Sequence, residues 1–378
     1  LANTVVEKDY ALGWLLWGIN QHPRSKEWIF KGGTCLKKCY FETYRFSEDL
    51  DFSILGSTQP SAEELTTLMA EVCDSIYEAS GLEFPKASIE FDIFKNPRGS
   101  TSIQGGLKYR GPVRPQIGIA NMPRIKIDLT LDEPLILPPA TKSVDHPYSD
   151  IPEDGISISA YSYEEIFAEK VRALAQRLRP RDLYDVIHLH RRLDLNPNRV
   201  LVRSTLESKC TLRGIPVPTL ASLQSHEHRQ SLESEWETQL KHQIPVLPAF
   251  ESFLAELPSV LDWLEEGTVE ELQAIAVVGE TETSIVREAV ANIGGSAIGG
   301  SYLDRIRFAA ASRLVVRLGY GGKFRTIEPY SLARSSDGNL LLRAVRTDNR
   351  ETRSYRWDRI ESILVTDRSF KPTYAIEI

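Results

Sequence analysis

The chain has 378 residues, with 45 Lys and Arg, 52 Asp and Glu, and a formal charge of −7. At roughly 100–200 residues per domain, this length predicts two or three domains and a sizeable core. The 42% hydrophobic and 26% charged fractions are typical of a soluble globular protein. No apolar run in the sequence approaches the roughly 18 residues that span a bilayer. We therefore expect no signal peptide, no membrane anchor and a cytoplasmic location.

The negative charge is unevenly distributed along the chain. A pI of about 5.7 argues against a nucleic-acid partner, because phosphate binding needs clustered Lys and Arg. Residues 301–378, however, contain 15 Lys and Arg against 9 Asp and Glu, a balance of +6, whereas residues 1–300 carry −13. The net charge therefore does not exclude a nucleic-acid partner for the C-terminal part.

The first third of the chain mixes helical and strand patterns. Apolar residues at helical spacing predict helices over 5–20, 34–41 and 61–80, the last beginning with a capping box at Ser61 and Glu64. Alternating or short apolar runs predict strands over 28–30, 45–55, 87–94, 105–109 and 124–131. This mixture of helices and strands predicts an α+β fold.

The rest of the chain divides into a helical region and a strand-rich end. Helices are predicted over 163–178, 182–193 and 302–312, and helical patterns with Pro breaks run through 200–280. Short strands separated by Gly and Asn turns fill 314–378. We expect a core at 1–195, a helical region completing it at 196–293, a Gly-rich linker at 294–301 and a small β module at 302–378.

The cysteines and paired histidines show weak signals for metal binding. Cys35 and Cys39 lack a second pair at metal-ligand spacing, so we interpret all the cysteines, including Cys73 and Cys210, as free thiols. Side chains two apart on a helix point to different sides. We therefore interpret the pairs His188/His190 and His226/His228 as structural or exposed.

The most informative stretch contains two acidic residues two positions apart. Asp49 and Asp51 lie on a predicted strand, where side chains alternate between faces, so both point the same way. Such close carboxylates repel each other unless a cation or proton compensates. Mg²⁺ suits them, because it prefers oxygen ligands and shares its shell with substrate phosphates. The preceding turn of Gly32, Gly33 and Thr34 offers backbone N–H groups for a phosphate.

A third carboxylate would complete a site for metal-assisted phosphoryl or nucleotidyl transfer. Asp128 supplies one, because it lies on a strand whose alternate residues are apolar. Glu90 and Asp92, on another predicted strand, are rival candidates. Most isolated pairs of acidic residues on a strand simply face solvent. The glycine turn before Asp49 and the single Asp128 after it are the features that favour a functional site here.

These residues belong to a pattern that resembles the AbiEii/AbiGii nucleotidyltransferase toxins, members of the DNA polymerase β-like superfamily. The resemblance covers roughly residues 5–265. Its motifs are Val-Glu-Lys-Asp-Tyr at 6–10, Lys-Gly-Gly-Thr at 31–34, Arg-Phe-Ser-Glu-Asp-Leu-Asp-Phe at 45–52, a Glu-Glu-x-x-x-Glu-Lys helix at 164–170 and Arg-Asp-Leu-Tyr-Asp at 181–185. The resemblance implies a polymerase β-like nucleotidyltransferase core, a mixed sheet flanked by helices.

The resemblance also implies roles for individual residues. Asp49, Asp51 and Asp128 would be the catalytic carboxylates and the ligands of Mg²⁺ or Mn²⁺. Gly32, Gly33 and Thr34 would hold the phosphates of the NTP, with Thr34 in the place of the commoner Ser. The remaining nucleotide-binding residues that it implies are Lys170, Arg181, Asp182 and Asp185.

The helical residues also have simpler explanations. Lys170 follows an apolar helical stripe, so it could extend to solvent, pair with Glu169 or reach a phosphate oxygen. Asp182 and Asp185 open the next predicted helix, where acidic groups favour the helix dipole in any case. Arg181 could pair with an Asp or bind a phosphate.

The C-terminal module resembles a WYL domain, an SH3-like β-barrel found in regulators and thought to bind ligands or nucleic acid. The resemblance rests on segments 325–332, 340–344 and 353–360, although Leu-Leu-Leu at 340–342 stands where Trp-Tyr-Leu gives the domain its name. Arg343 and Arg356 lie on predicted strands, and alternation places Arg353, Tyr355 and Trp357 on one face. These residues predict an RNA-binding surface at Arg343, Arg353, Tyr355 and Arg356. The alternative is a solvated edge with Tyr355 and Trp357 in the barrel core.

We therefore expect a Mg²⁺-dependent enzyme that transfers an NMP from an NTP to an RNA, with tRNA the favoured acceptor. The family resemblance implies the toxin of a toxin–antitoxin or phage-defence pair, with a cognate antitoxin protein as partner. Two alternatives remain open: a nucleotide- or RNA-sensing regulator with vestigial catalysis, and modification of a protein hydroxyl.

Overall fold

The computed structural model describes residues 3–41, 44–56, 58–95, 101–113, 115–131, 133–192, 195–265, 302–335 and 338–378. The predicted linker at 294–301 and the stretch 266–293 of the predicted helical region lie outside these residues. The chain divides into two compact units, Leu1–Glu169 and Lys170–Ile378. Within the described residues, no helix is both long enough and apolar enough to cross a membrane.

The first unit is built on a seven-stranded mixed sheet. Its helices are α1 (Asn3–Gln21), α2 (Gly32–Cys35), α3 (Ala62–Ser80) and the first part of α4 (Tyr163–Arg177). Its strands are β1 (Trp28–Lys31), β2 (Leu50–Ile54), β3 (Glu90–Lys95), β4 (Thr101–Lys108), β5 (Arg124–Thr130), β6 (Ala140–Ser143) and β7 (Ser157–Ala160). They run in the order β3-β4-β5-β2-β1-β7-β6. The β2–β5 and β1–β7 pairs are parallel and the other pairs antiparallel, which confirms the predicted mixed sheet.

The sequence patterns explain why these elements form where they do. In β5, Ile125, Ile127 and Leu129 are buried and the residues between them are less so, as alternation predicts. Helix α3 begins at the predicted capping box, in which Ser61 and Glu64 bond each other's backbone N–H groups, and ends at left-handed Gly81. These local signals fix both ends of α3 without help from the rest of the chain.

Several predictions for the first unit differ from the structure. The predicted strand 45–55 is ordered as a strand only from Leu50 to Ile54. The backbone oxygen of Asp49 accepts a hydrogen bond from the Thr34 hydroxyl, so the segment before β2 is held by a side chain rather than by a strand ladder. The predicted helix 34–41 begins at Gly32 and continues as a π-helix over Leu36–Tyr40. The four-residue strands β6 and β7 have too little apolar sequence to be predicted.

The second unit contains the end of α4, further helices and a C-terminal sheet. The helices are α5 (Pro180–Arg191), α6 (Arg199–Arg213), α7 (Leu220–Gln224), α8 (Arg229–Ser234), α9 (Trp236–Leu240), α10 (Phe250–Leu254), α11 (Leu257–Glu265) and α12 (Tyr302–Ala311). The strands are β8 (Leu314–Tyr320), β9 (Lys323–Arg334), β10 (Leu340–Arg346), β11 (Thr352–Arg356) and β12 (Ile360–Ser369). Helix α5 starts with Pro180, a residue whose missing N–H is not needed in the first turn.

The C-terminal strands form an antiparallel sheet in the order β11-β10-β9-β8-β12. A barrel requires pairing between the two outermost strands. Among the described residues β11 pairs with β10 and β12 with β8, and no pairing joins β11 to β12. The expectation of a closed SH3-like barrel is therefore wrong, and the module is an open five-stranded sheet.

Candidate active site

Strand pairing brings the predicted carboxylates together on one face of the first unit's sheet. Asp51 on β2 is the register partner of Asp128 on the parallel neighbour β5. On the other side of β2, Asp51 is the partner of Lys31 at the end of β1. Register partners point to the same face. The row continues from Asp128 to Gln104 on β4 and Asp92 on β3.

The glycine turn lies directly against Asp51. Gly32 has a positive φ of +82°, a conformation that side chains disfavour, and a Cβ atom at this position would overlap the carboxylate of Asp51. A Cβ on Gly33 would stand 2.7 Å from a guanidinium nitrogen of Arg45, which is itself buried. Gly32 therefore allows the backbone to approach Asp51, and Gly33 allows it to approach Arg45, more closely than a residue with a Cβ atom could.

Thr34 connects this turn to the segment that carries Asp49. Its side chain is fully buried, and its hydroxyl donates to the backbone oxygen of Asp49 at 2.6 Å while lying 2.9 Å from the hydroxyl of Ser47. The sequence predicts a phosphate ligand at this position. The observed contacts give Thr34 a positioning role, because it fixes the backbone immediately before β2.

The acidic row is electrostatically unfavourable by itself. Burial, together with the negative charge of Asp49, raises the pKa of Asp128 above its ordinary value, and the amide of Gln104 and the cations Lys126 and Lys31 oppose this rise only in part. A bound cation would relieve the repulsion. Carboxylate oxygens are the donors that Mg²⁺ prefers, so the chemistry of this row fits a divalent metal.

The carboxylates alone do not form a complete metal site. Across the described ranges, no group of three or more His, Cys, Asp or Glu side chains is arranged to hold a metal ion. Mg²⁺ is commonly held by one or two carboxylates and completes its shell with water and substrate phosphates. Asp51 and Asp128, with Asp49 beside them, would thus hold the metal once a nucleotide supplies further oxygen ligands.

The rival carboxylates are less suitable. Glu90 forms an ion pair with Arg124 at 2.8 Å. Asp92 lies on the edge strand β3, three strands from Asp51 on β2. At about 4.8 Å per strand, that separation of roughly 14 Å is too great for Asp92 and Asp51 to bind one ion. The structure therefore favours Asp128 as the third carboxylate.

Sequence reasoning missed two neighbours of this row. Lys31 forms an ion pair with Glu133, and both side chains are largely buried. Gln104, opposite Asp128, bonds its carboxylate. Lys31 could have been noticed because it directly precedes the glycine turn. Glu133 and Gln104 carry no local signal, since only strand pairing and the loop after β5 bring them here.

Three of the predicted helical residues form ion pairs inside the second unit. Lys170 on α4 forms an ion pair with buried Asp185 on α5 at 2.7 Å. Arg177 binds both oxygens of buried Asp182, at 2.6 and 2.7 Å. Arg181 is exposed. Lys170 therefore contacts Asp185. The sequence analysis considered solvent, Glu169 and a phosphate oxygen as its possible surroundings, but not Asp185.

The predicted RNA-binding residues of the C-terminal module differ in accessibility. Tyr355 is only 4% exposed, so its ring packs inside the module and is not available for stacking. Arg353 and Arg356 each pair with an acid two residues away, Glu351 at 2.6 Å and Asp358 at 2.8 Å. Arg343 is exposed on β10. Trp357 lies in a 3-10 turn after β11, so it does not continue the predicted strand face.

A carboxylate pair beside a glycine turn suits nucleotidyl transfer, and the chain is a nucleotidyltransferase. Residues 14–264 match the family model described as "Nucleotidyl transferase AbiEii toxin, Type IV TA system". The match covers more than half of the chain, so the protein belongs to this family. Nucleotidyltransferases of this family generally use a divalent metal and an NTP, and a toxin–antitoxin family implies an antitoxin partner.

Residues 301–365 match the WYL domain model. Among solved structures, the chain is similar to MenT4, a nucleotidyltransferase toxin from Mycobacterium tuberculosis. The similarity has 19% sequence identity and a TM-score of 0.45, and covers 71% of this chain and 86% of that chain. The comparison with curated proteins finds no match.

Proposed function

We propose that the protein is a Mg²⁺-dependent toxin that transfers an NMP from an NTP to an RNA acceptor, with tRNA the favoured class. The observation that carries the proposal is the register pairing of Asp51 with Asp128, beside a glycine turn whose backbone lies against Asp51. This arrangement supports binding of the triphosphate next to the acidic row.

In the proposed reaction the acceptor hydroxyl forms a bond to the α-phosphorus of the NTP, and the bond to pyrophosphate breaks. The metal would neutralise charge on the attacking and leaving oxygens. Asp128 is the residue we assign to accept the hydroxyl proton, and Gln104 holds its carboxylate in place. The backbone N–H groups of the turn at 32–34 orient the phosphates. We propose that Lys170 and Arg181 also bind phosphate oxygens.

The test is transfer of label from α-labelled NTPs to total tRNA by the purified full-length chain. Asp51→Asn should reduce transfer by at least about 100-fold, because metal stabilisation of the transition state is worth several kcal/mol. The matched control is Asp92→Asn, which changes an exposed acid of the same row and should transfer normally. Chelation by EDTA should abolish transfer and added Mg²⁺ restore it.

The same experiment distinguishes the proposal from the alternative functions. Equal transfer by wild type and Asp51→Asn would contradict the proposal. Label recovered in a protein rather than in RNA would identify a protein hydroxyl as the acceptor. Binding of NTP with no transfer to any acceptor would favour a nucleotide-sensing regulator.

A further inference from the structure

The hairpin between β8 and β9 carries only positive charge. Residues 317–325, which we call the basic hairpin, contain Arg317, Lys323 and Arg325 and no acidic residue. Its turn is formed by Gly321 and Gly322, whose φ angles are +59° and +68°. Two successive positive φ angles are typical of the tight type I′ turn, which joins neighbouring antiparallel strands. The hairpin therefore presents its side chains from a compact, well-defined scaffold.

An aromatic ring lies exposed on this hairpin. Phe324 is 65% exposed, one of the highest values among the large apolar side chains of the described residues. Its register partner is Gly319, which has no side chain to cover the ring. The guanidinium of Arg317 lies 4.3 Å from the ring centroid, a cation–π contact. Leu364, the partner of Arg317 on β12, is 59% exposed and extends the apolar surface.

A single exposed Phe is common on protein surfaces and needs no explanation by itself. Two further features distinguish this one. In the part of the chain that the structure describes, Arg317 and Lys323 have no acidic partner, whereas Arg346, Arg353 and Arg356 are each paired with a neighbouring acid. The nearest acid at the turn, Glu361, has its carboxylate bonded to the Gly322 N–H at 2.9 Å.

We propose that the basic hairpin binds a single-stranded segment of the RNA acceptor. An unpaired base would stack on the face of Phe324 opposite to the Arg317 guanidinium. Arg317 and Lys323 would contact the flanking phosphates. This inference rests on the proposed function for the identity of the acceptor, but it places the contact on a surface different from the β10–β11 residues that the sequence indicates.

The chemistry of the hairpin favours a single strand over other anionic partners. Exposed aromatic rings with neighbouring Arg bind splayed bases, because every base has a face to stack. A duplex keeps its bases stacked inside and would use only the charges. An acidic peptide would also use only the charges, and would leave Phe324 without a role.

The experiment measures fluorescence anisotropy of a labelled single-stranded RNA of about 12 nucleotides, within the usual site size of such surfaces, with the full-length protein. Phe324→Ala should weaken binding by about 5- to 100-fold, the range expected for loss of one base–aromatic stack. Phe324→Tyr should restore it, since the ring is kept. Arg317→Ala and Lys323→Ala should each reduce the slope of log affinity against log salt by about 0.7.

Two variants serve as matched controls. Tyr77→Ala removes an aromatic ring of similar exposure, 58%, on α3 in the other unit. Arg346→Ala removes an Arg of the same sheet that is already paired with Asp348. Both should bind RNA like the wild type.

The results separate this inference from the proposed function. Wild-type affinity and transfer in Phe324→Ala would overturn the hairpin site while leaving the transferase proposal intact. Binding that depends on Phe324, with no transfer to any RNA, would overturn the proposed acceptor and keep the site. Binding of duplex RNA or of a poly-Glu peptide as tightly as single-stranded RNA would show recognition of charge alone, and would also overturn the stacking site.

Discussion

Gly32 approaches Asp51 more closely than any residue with a Cβ atom could. Its positive φ turns the chain from β1 into α2, and its bare Cα leaves room for the Asp51 carboxylate. Thr34, two residues later, fixes Asp49 through a buried hydrogen bond. The same short turn thus forms the proposed phosphate-binding side of the site and positions Asp49.

Substitution of Gly32 by Ala should abolish transfer while leaving the protein folded. The left-handed backbone costs about 1–2 kcal/mol for a residue with a Cβ atom, and the methyl group would in addition displace Asp51. The control is Gly81→Ala at the end of α3, which has a similar φ of +72° but no neighbour within 4 Å of the added atom. Both variants should unfold at a lower temperature than the wild type, and only Gly32→Ala should lose transfer activity. Normal transfer by Gly32→Ala would contradict the assigned role.

At the scale of elements, a charged cluster joins α5 to the start of the C-terminal sheet. Glu256, between α10 and α11, accepts hydrogen bonds from Arg191 on α5 at 2.8 Å and from Arg313, just before β8, at 2.6 Å. Arg191 also donates to the backbone oxygen of Ala311 at the end of α12. Helix α5 carries Asp182 and Asp185, so this cluster connects the C-terminal module to a helix of the predicted nucleotide-binding set.

Substitution of Glu256 by Gln should lower the free energy of unfolding by about 1–3 kcal/mol, the usual range for hydrogen bonds to charged groups. Burial alone would raise the pKa of Glu256, but Arg191 and Arg313 outweigh it and hold the pKa below its usual 4.5. A depressed carboxylate pKa contributes stability at neutral pH that is lost as pH falls below the unfolded value. The difference between wild type and Glu256→Gln should therefore shrink below about pH 4.5.

Urea unfolding at several pH values measures this difference. Glu237→Gln is the control, because Glu237 pairs with Lys241 on an exposed face and its loss should change stability little. A destabilisation by Glu256→Gln that stays constant from pH 7 to pH 3 would show that the effect is not electrostatic.

At the scale of the whole molecule, the negative net charge conceals a local positive surface. Residues 301–378 carry +6 in a chain of −7. At physiological ionic strength charges are screened over roughly 8 Å, so an RNA strand responds to the charges it touches rather than to the total. The basic hairpin is one surface on which such contacts are free to form.

Changing the net charge in the first unit should leave the salt dependence of RNA binding unchanged. Glu63→Gln with Glu78→Gln, both exposed on α3, moves the formal charge from −7 to −5. Titration of labelled RNA at several salt concentrations should give the wild-type slope for this double variant and a smaller slope for Lys323→Ala. A change in slope for the double variant as large as that for Lys323→Ala would show that the overall charge governs binding.

Much of the core could be predicted because its signals are local. The spacing of Asp49 and Asp51, the glycine turn and the alternation around Asp128 are each contained in a few residues, as is the capping box of α3. The predicted α+β core is confirmed for this reason. Strand β2 is shorter than the sequence predicts, because the hydrogen bond from Thr34 to the backbone of Asp49, which holds the segment before the strand, joins residues 15 apart.

The sequence by itself therefore determined the family, the residue types of the site and most elements, since these follow from short-range spacing. The tertiary structure alone decided which strands are neighbours, and with that the pairing of Asp51 with Asp128, the presence of Gln104 and the ion pair of Lys31 with Glu133. It also decided that the C-terminal sheet stays open, that Tyr355 is buried and that Phe324 is exposed. These outcomes depend on contacts between residues distant in sequence, which no local pattern of apolar and polar residues encodes.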